Sequence, residues 1–531
     1  MEKTAGAATV QTRDVGSGVA RIFYYYWRLI LALAVTLLIG IVILLLRFFP
    51  YSEKNITESL QQTFPSQLRI YHFQPVYFPH PGCRAERVTF RSNSSPTDSP
   101  PVVTIQWLTI QGSYADLLLR PHHVARVYLD GLRVQVPPLG SAGAFNGGYR
   151  DSQMTIGEVV ANRAVLEFAR AGDKPAERYD IHELSLNNVT AQSGMGYRLI
   201  MRNPTPPGEI TSTGHFGPFI SNDPAQTPVS GSYSFDRADI SAFRGIAGIV
   251  DSRGTFSGPL ERVDVQGTTE SPNFEVVRSG HAAHLSTRFH LRVNGMNGDV
   301  ALTDVNASYI DTTIRAAGSV AGNEGWGKKL TSLDFEVHDG RIQDMLRLIV
   351  REKQPPMSGV TNFKAHVTVP PEGKPFLKEV TLQGNFDIAD GHFAKPTRQQ
   401  SVNELSRTAQ GQKKANPEEK IDGPVDQITS HVQGNVELRD GMATFANLQF
   451  TVPGAAALMH GTYNLLNEKI DLHGTLKMDA KFSNSTSGIK SLFAKVLDPF
   501  LNKKGGAVVP VLVDGTYGNP HFGLDLNPVK K

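Results

Sequence analysis

Cysteine is nearly absent: the 531 residues include one, Cys83, so no disulfide can form within the chain. Secreted eukaryotic domains of this size are usually bridged, whereas a Gram-negative periplasmic domain often has no bridge at all. Five Asn-x-Ser/Thr sites, at Asn55, Asn93, Asn188, Asn306 and Asn484, matter only in a glycosylating pathway. A β protein rich in Ser, Thr and Asn produces them by chance. An excess of one charge is missing as well. The net charge is +3 with His neutral, and Lys and Arg are scattered, which leaves no footprint for nucleic acid. There is no G-x-S-x-G, no phosphate-binding G-x-x-x-x-G-K-[ST], no H-E-x-x-H and no cysteine pair for zinc. His281, His284 and His290 lie close together in "HAAHLSTRFH", but strand alternation does not bring all three to one face. His122 and His123 follow "LLLRP" and read as loop residues. Cys83 stands beside Arg84, a neighbour able to lower a thiol pKa, and is read as a free, non-catalytic thiol. No catalytic residue, cofactor or metal is assigned, and the chain is not read as an enzyme.

One long hydrophobic run is present. Leu29 to Leu46 is uncharged and apolar, between Arg28 and Arg47; at ~1.5 Å per residue it nearly spans a hydrocarbon core of ~30 Å. Aromatic residues flank it, "FYYYW" at Phe23 to Trp27 and then Phe48 and Phe49, as at membrane interfaces. The following "RFFPYSEK" lacks a small-residue cleavage pattern, so the run is read as an uncleaved transmembrane anchor over 29–46. Arg13, Arg21 and Arg28 precede it and Arg47 and Lys54 follow. That excess places 1–28 in the cytoplasm and the bulk of the chain outside it.

Beyond the anchor, period-two alternation dominates, as in "PVVTIQWLTIQ" and "VARVYLDGLRVQV", and predicts strands. An apolar residue, a polar residue and Gly recur, for example "VQG" at Val265, "LQG" at Leu382, "VQG" at Val432 and "LHG" at Leu472. Asp-Gly pairs recur at Asp130, Asp339, Asp390 and Asp440 and favour two-residue hairpins. With such a loop at Asp440, Leu438 faces Ala443, Val436 faces Phe445 and Arg439 faces Met442, so Val436, Leu438 and Phe445 share an apolar face. The same rule groups Phe386, Ile388 and Phe393 at Asp390, and Val127, Leu129, Leu132 and Val134 at Asp130. At Asp339 a helix with Asp339 as its N-cap competes with the hairpin. Each one-sided apolar sheet needs a cover. A sandwich or barrel core is one solution, and a sheet curled around an apolar channel is the other.

Helices are expected over "SEKNITESLQQTF", "ADISAFRGIAGIV", "GRIQDMLRLIV", "QSVNELSRTA" and "SGIKSLFAKVLDPFLNK". The last is amphipathic, with Ile489, Leu492, Phe493, Val496, Leu497, Phe500 and Leu501 on one stripe and lysines largely off it. It suits a cap on the sheet, or contact with a membrane surface or a partner.

From about residue 380 to the end, "LQGNFDIADGHF", "NELSRTAQG", "VQGNVELRDGMATFANLQFTVPGAAALMHGTYNL" and the closing "VPVLVDGTYGNPHFGLDL" resemble the AsmA-like family, relatives of TamB in Gram-negative envelopes. "GTFSGPLERVDVQGTTESPNFEV" from Gly254 is similar to segments of the same family. The resemblance implies a mainly β fold: an N-terminal transmembrane helix and an elongated, curled antiparallel β-groove with a few amphipathic helices. Segments follow as 47–150, an N-terminal periplasmic β region; 151–379, middle groove repeats; and 380–531, the AsmA-like region. It further implies an inner-membrane, single-pass protein acting on phospholipid transport to, or homeostasis of, the outer membrane, with an outer-membrane or periplasmic protein as a further partner. At about 16 residues per strand the chain offers ~30 strands, reaching ~140 Å at ~4.8 Å each. Two other classes stay open: an assembly scaffold for outer-membrane β-barrels using strand edges, and an anchored periplasmic hydrolase, which needs convergent acid, base or nucleophile groups.

Overall fold

Alternating sequences form strands because one face is then apolar and the other polar. A computed structural model describes residues 35–37, 50–63, 66–92, 102–120, 123–136, 155–168, 176–190, 192–220, 222–322, 329–371, 375–410, 428–479 and 507–525. The protein is mainly β, with a sheet of 25 strands and a few short helices. Of the apolar run 29–46, only 35–37 are described, and they are helical. Among the described residues no helix is long and apolar enough to cross a membrane. The expected helix carrying Ile489 to Leu501 lies outside the described residues.

From Thr155–Phe168 to Asn519–Leu524, successive long strands pair antiparallel, as a meander. One junction differs. His123–Asp130 and Arg133–Val136 both run antiparallel to Val103–Gln111 and parallel to Thr155–Phe168. A parallel neighbour needs a crossover of a dozen or more residues, and 137–154 supply that length.

The Asp-Gly pairs divide into two kinds. At Asp440 the expected hairpin forms: Arg439 faces Met442, Leu438 faces Ala443 and Val436 faces Phe445, with φ of 51° at Asp440 and 77° at Gly441, as a type I′ loop requires. Asp339 and Asp390 overturn the hairpin expectation. Strands Lys329–Arg341 and Thr381–Phe393 run straight through them, and the register slips there as a β-bulge. In each bulge the Asp takes a positive φ, 49° at Asp339 and 51° at Asp390, and the glycine does not. Asp339 is not an N-cap either; its N–H donates to Asn362 Oδ1 at 3.0 Å, and the helix starts at Ile342 behind Arg341. At Asp130 the chain kinks at Gly131 and continues in the same direction, so this pair is not a hairpin.

The helices are α1 (Glu53–Thr63), α2 (Tyr114–Leu119), α3 (Ile342–Ile349), α4 (Phe376–Glu379) and α5 (Pro396–Ala409). The helix expected over "ADISAFRGIAGIV" is replaced by a 3-10 turn, Ile240–Ala242, and strands Ile246–Ala247 and Ile249–Pro259. Gly245 and Gly248, at φ of 92° and 136°, are incompatible with an α-helix. Four helices bury apolar residues on the same sheet. Ile56 and Leu60 of α1, with Leu117 of α2, pack on Val88, Ile105, Leu108 and Val124. Met345 and Leu346 of α3 pack on Met357 and Ile388. Val402, Leu405 and Ala409 of α5 pack on Val452, Ala455, Met478 and Val509. Each large side chain so buried contributes ~1.5–3 kcal/mol.

Contacts between distant residues turn the sheet back on itself. The Arg278 guanidinium donates to the Leu465 carbonyl. Arg398 of α5 donates to the Tyr517 carbonyl at 3.1 Å and lies 5.5 Å from the Tyr517 ring centre. Lys395 pairs with Glu352 at 3.3 Å, and His281 Nε2 is 2.9 Å from the Glu352 carbonyl.

Candidate functional site

Residues directly opposite on neighbouring strands point to the same face, so the register can be followed across the molecule. One such line begins at Phe73 and passes through Ala85, Leu108, Leu129, Ala161, Leu184 and Leu199. It continues through Ser212, Tyr233, Gly254, Gly267, Phe289, Val305, Ala316 and Phe335. It ends through Ala365, Gly384, Val436, Phe445, Gly461, Leu472, Val513 and Phe522. No member is charged. Ala85, Leu108, Ala161, Ser212 and Ala365 are buried, Phe522 is exposed, and the others are half-buried. An ordinary core seals such a line; here most of it is neither sealed nor on open surface.

Glycines on this face, including Gly267, Gly434 and Gly461 of the recurring triplets, have a role that triplet spacing alone did not reveal. They stand opposite aromatic rings: Gly214 opposite Tyr197, Gly231 opposite Phe256, Gly254 opposite Tyr233, Gly267 opposite Phe289, Gly434 opposite Phe386 and Gly461 opposite Phe445. A Cβ at Gly267 would stand 2.8 Å from Phe289 Cζ, and one at Gly434 would stand 3.3 Å from Phe386 Cζ. Rings thus lie across bare backbone, which broadens the apolar surface without raising it.

Hydroxyls interrupt the face between Tyr197 and Thr287; several are partnered, whereas the buried Ser271 Oγ has no partner among the described residues. Tyr197 Oη is 3.0 Å from Ser212 Oγ, Tyr233 Oη is 3.2 Å from Ser252 Oγ, and Thr269 meets Thr287 at 2.5 Å. Ser212 also donates to the Ser232 carbonyl at 3.0 Å. Burial pushes both tyrosines above their ordinary pKa, while the serine contacts act in the opposite sense. They stay neutral at physiological pH.

The opposite face is polar. Arg126 pairs with Glu158 at 3.0 Å, Arg133 with Glu167 at 3.1 Å and His431 with Asp387 at 3.0 Å. An open depression of about 520 Å³ there is lined by Asp304, Arg315, Asp334, Glu336, Lys364 and His366 among others. Beside it Asp334 Oδ1 lies 2.8 Å from His366 Nδ1, and His366 Nε2 lies 3.2 Å from Ser332 Oγ. That order of groups is the one a hydrolase uses. Here the neighbouring strand N–H groups are engaged in the ladder between Lys329–Arg341 and Met357–Val369, which leaves them unable to serve as an oxyanion hole. The His366 and Asp334 side chains are 48% and 71% exposed, so their interaction is screened by water.

The apolar residues singled out from the sequence fall as follows. Val127, Leu129 and Leu132 pack on the N-terminal cluster beneath α1, and Val134 stands opposite Val103 and Leu166. Phe386, Ile388 and Phe393 come together with Val432 and α3, through the bulge at Asp390 and not through a hairpin. Val436, Leu438 and Phe445 continue that face, and the Phe386 and Phe445 rings meet edge-on at 6.3 Å. The histidines separate: His284 pairs with Glu270 at 3.0 Å, His290 approaches Asp264 at 3.8 Å, and His123 pairs with Asp116 at 3.1 Å. No group of metal-ligating side chains occurs among the described residues. Cys83 is 1% exposed, and burial pushes its thiol up to about 12; Arg84 is exposed and does not lower it. No family model, curated protein or solved structure matches the chain.

Proposed function

We propose that this protein is a membrane-anchored lipid carrier of the AsmA-like kind, whose apolar sheet face forms an elongated groove for phospholipid acyl chains. The observation that carries the reading is the uncharged line from Phe73 to Phe522, half-buried over most of its length. An acyl chain on such a surface gains ~0.8 kcal/mol for each CH₂ removed from water. A continuous face allows it to slide without crossing a charge. The helices α1, α3 and α5 cover parts of that face and leave the remainder for lipid. Measured along the sheet, the described strands at ~4.8 Å each span ~105 Å, less than the sequence estimate.

In this reading the run 29–46 anchors the chain in a bacterial inner membrane, the bulk lies in the periplasm, and the lipid moves towards the outer membrane. Native mass spectrometry of gently extracted protein tests it: bound phospholipid is expected. A protein free of lipid whose apolar face is protected from solvent by a protein partner contradicts it. Protease added to spheroplasts should digest the large domain, and full protection would overturn the topology.

One observation favours an assembly scaffold instead. The strand Asn519–Leu524 pairs on one side only among the described residues, and its Phe522 is 70% exposed. A free edge of this kind accepts another strand. Crosslinks from Phe522 to an unfolded outer-membrane barrel, with no lipid captured elsewhere, would favour that reading.

A further inference from the structure

The first strands and Tyr51 meet at one margin of the sheet. Tyr51 is 4% exposed, and its phenol fills the space a side chain at Gly112 would need. Gly112 N–H donates to the Pro81 carbonyl at 2.7 Å, and the Tyr114 hydroxyl donates to the Tyr77 carbonyl. These contacts hold together the point where the chain enters the fold, the turn after strand Ser66–Val76, and α2.

This margin carries large apolar side chains turned to solvent. Phe78 is 84% exposed, Leu119 80%, Tyr77 44% and Tyr114 41%. Single exposed hydrophobics need no explanation, but here Phe78 adjoins Tyr77, which Tyr114 contacts, and Leu119 ends the same helix α2. None of the four belongs to the cluster of residues packed beneath α1. Exposed Arg84 and Arg120 stand in the same segments.

Where the margin lies limits what can cover it. Tyr51 stands five positions after Leu46, and at up to ~3.6 Å per position that stretch reaches no further than ~18 Å. The headgroup layers add ~5–8 Å to each side of the hydrocarbon core. Tyr51 is therefore tethered close to whatever surface the run 29–46 leaves. Tyrosine and phenylalanine suit that layer, where one end of a ring is apolar and the other wet, and arginines suit its phosphates.

We propose that Tyr77, Phe78, Tyr114 and Leu119 form a contact patch that lies in the headgroup layer of the bilayer, seating the N-terminal end of the sheet on the membrane. The proposal rests on the anchored reading of 29–46. It adds that the soluble fold touches lipid itself and does not hang freely from a tether.

The full chain, reconstituted into vesicles of phosphatidylethanolamine and phosphatidylglycerol, tests it. Cys83 is buried and its thiol is pushed up to about 12, so a nitroxide reagent reacts selectively with an introduced cysteine. Labels are placed singly by Phe78→Cys, Leu119→Cys and, at the remote end on the polar face, His521→Cys, and their collision with oxygen and with an aqueous nickel complex is compared by spin resonance. The expected result is a higher oxygen-to-nickel ratio at 78 and 119 than at 521. If the protein floats with the vesicles and all three labels are equally open to nickel, the contact patch is wrong and the anchor stands. If the protein does not float with the vesicles, the anchor fails and the patch with it. Phe78→Ser combined with Leu119→Ser gives an independent check, since both side chains are exposed and folding should be unchanged by circular dichroism. In that variant the label on Tyr114→Cys should lose its protection from nickel; retention of full protection overturns the proposal.

Discussion

Gly267 and Phe289 show how a single residue shapes the face. With the ring 2.8 Å from where a Cβ would stand, Gly267→Val must push the ring off its position, and such overpacking costs ~1–3 kcal/mol. The expected outcome is a lower melting temperature and faster amide exchange in strands Val263–Val276 and Ala283–Val293, partly relieved by Phe289→Leu in the same chain. Equal stability of Gly267→Val and the parent would mean the ring does not lie there. His473 carries a pH response at the last strand. Its hydrogen bond to Asp525 at 2.9 Å, aided by Asp471, raises its pKa above the ordinary value, against a smaller opposing effect of burial. A raised folded-state pKa gives stability that is fully present below the unfolded pKa and is lost as pH rises through the folded one. The last strand, Asn519–Leu524, should therefore hold more firmly at mildly acidic than at alkaline pH. Protection factors for 519–524 at the two pH values check this, and His473→Gln should remove the difference.

Among the elements, Asp-Gly shows what was legible in the sequence and what was not. At Asp440 both flanks alternate, and the expected register formed to the residue. At Asp339 and Asp390 the flanks alternate as well, but apolar residues at helical spacing follow shortly, such as Ile342, Met345 and Leu346. Burying those residues against the sheet requires the chain to run on into a helix, so Asp-Gly becomes a bulge. A pair of residues with a local preference for positive φ serves a hairpin and a bulge alike, and only tertiary packing separates them. The aromatic–glycine pairs were hidden for a related reason. Phe386 and Gly434 are far apart in sequence, and bulges shift the register on the way between strands. The apolar face itself was legible, because alternation survives every bulge as a change of phase. Helix α5 supplies the prediction at this scale. Leu405 packs in the cluster with Val452 and Met478, so Leu405→Asp leaves a carboxylate without a partner in an apolar site and should cost upwards of ~2 kcal/mol. Hydrogen exchange should rise in Met442–Val452 and Ala455–Asn464 and stay unchanged in Ser66–Val76. A uniform rise throughout the sheet would mean that α5 is not a local cover.

At the scale of the whole molecule, a long sheet with one apolar face has to be covered, curled or loaded. The contacts Arg278 to Leu465, Arg398 to Tyr517 and Lys395 to Glu352 bring parts of the chain together that are far apart in sequence. Burial, and next to it the Glu352 carboxylate, push the Tyr517 phenol up to about 12, so it remains protonated at this junction. Arg398→Ala removes a charge-assisted hydrogen bond and a ring contact, together worth ~1–3 kcal/mol. It should accelerate exchange at 516–519 without altering strands before residue 276. If Arg398→Ala leaves exchange at 516–519 unchanged, the junction does not hold the sheet in its bent form.

The central claim is that lipid occupies one face of this sheet and not the other. Photo-crosslinking amino acids introduced in cells at Phe335, Phe386 and Phe445 on the apolar face, and at Glu336, Asp387 and Glu437 on the polar face, test it most directly, with circular dichroism confirming that each variant folds. Covalent capture of phospholipid at the first three positions and none at the second three is the result predicted. Equal capture on both faces, or none on either, would contradict it.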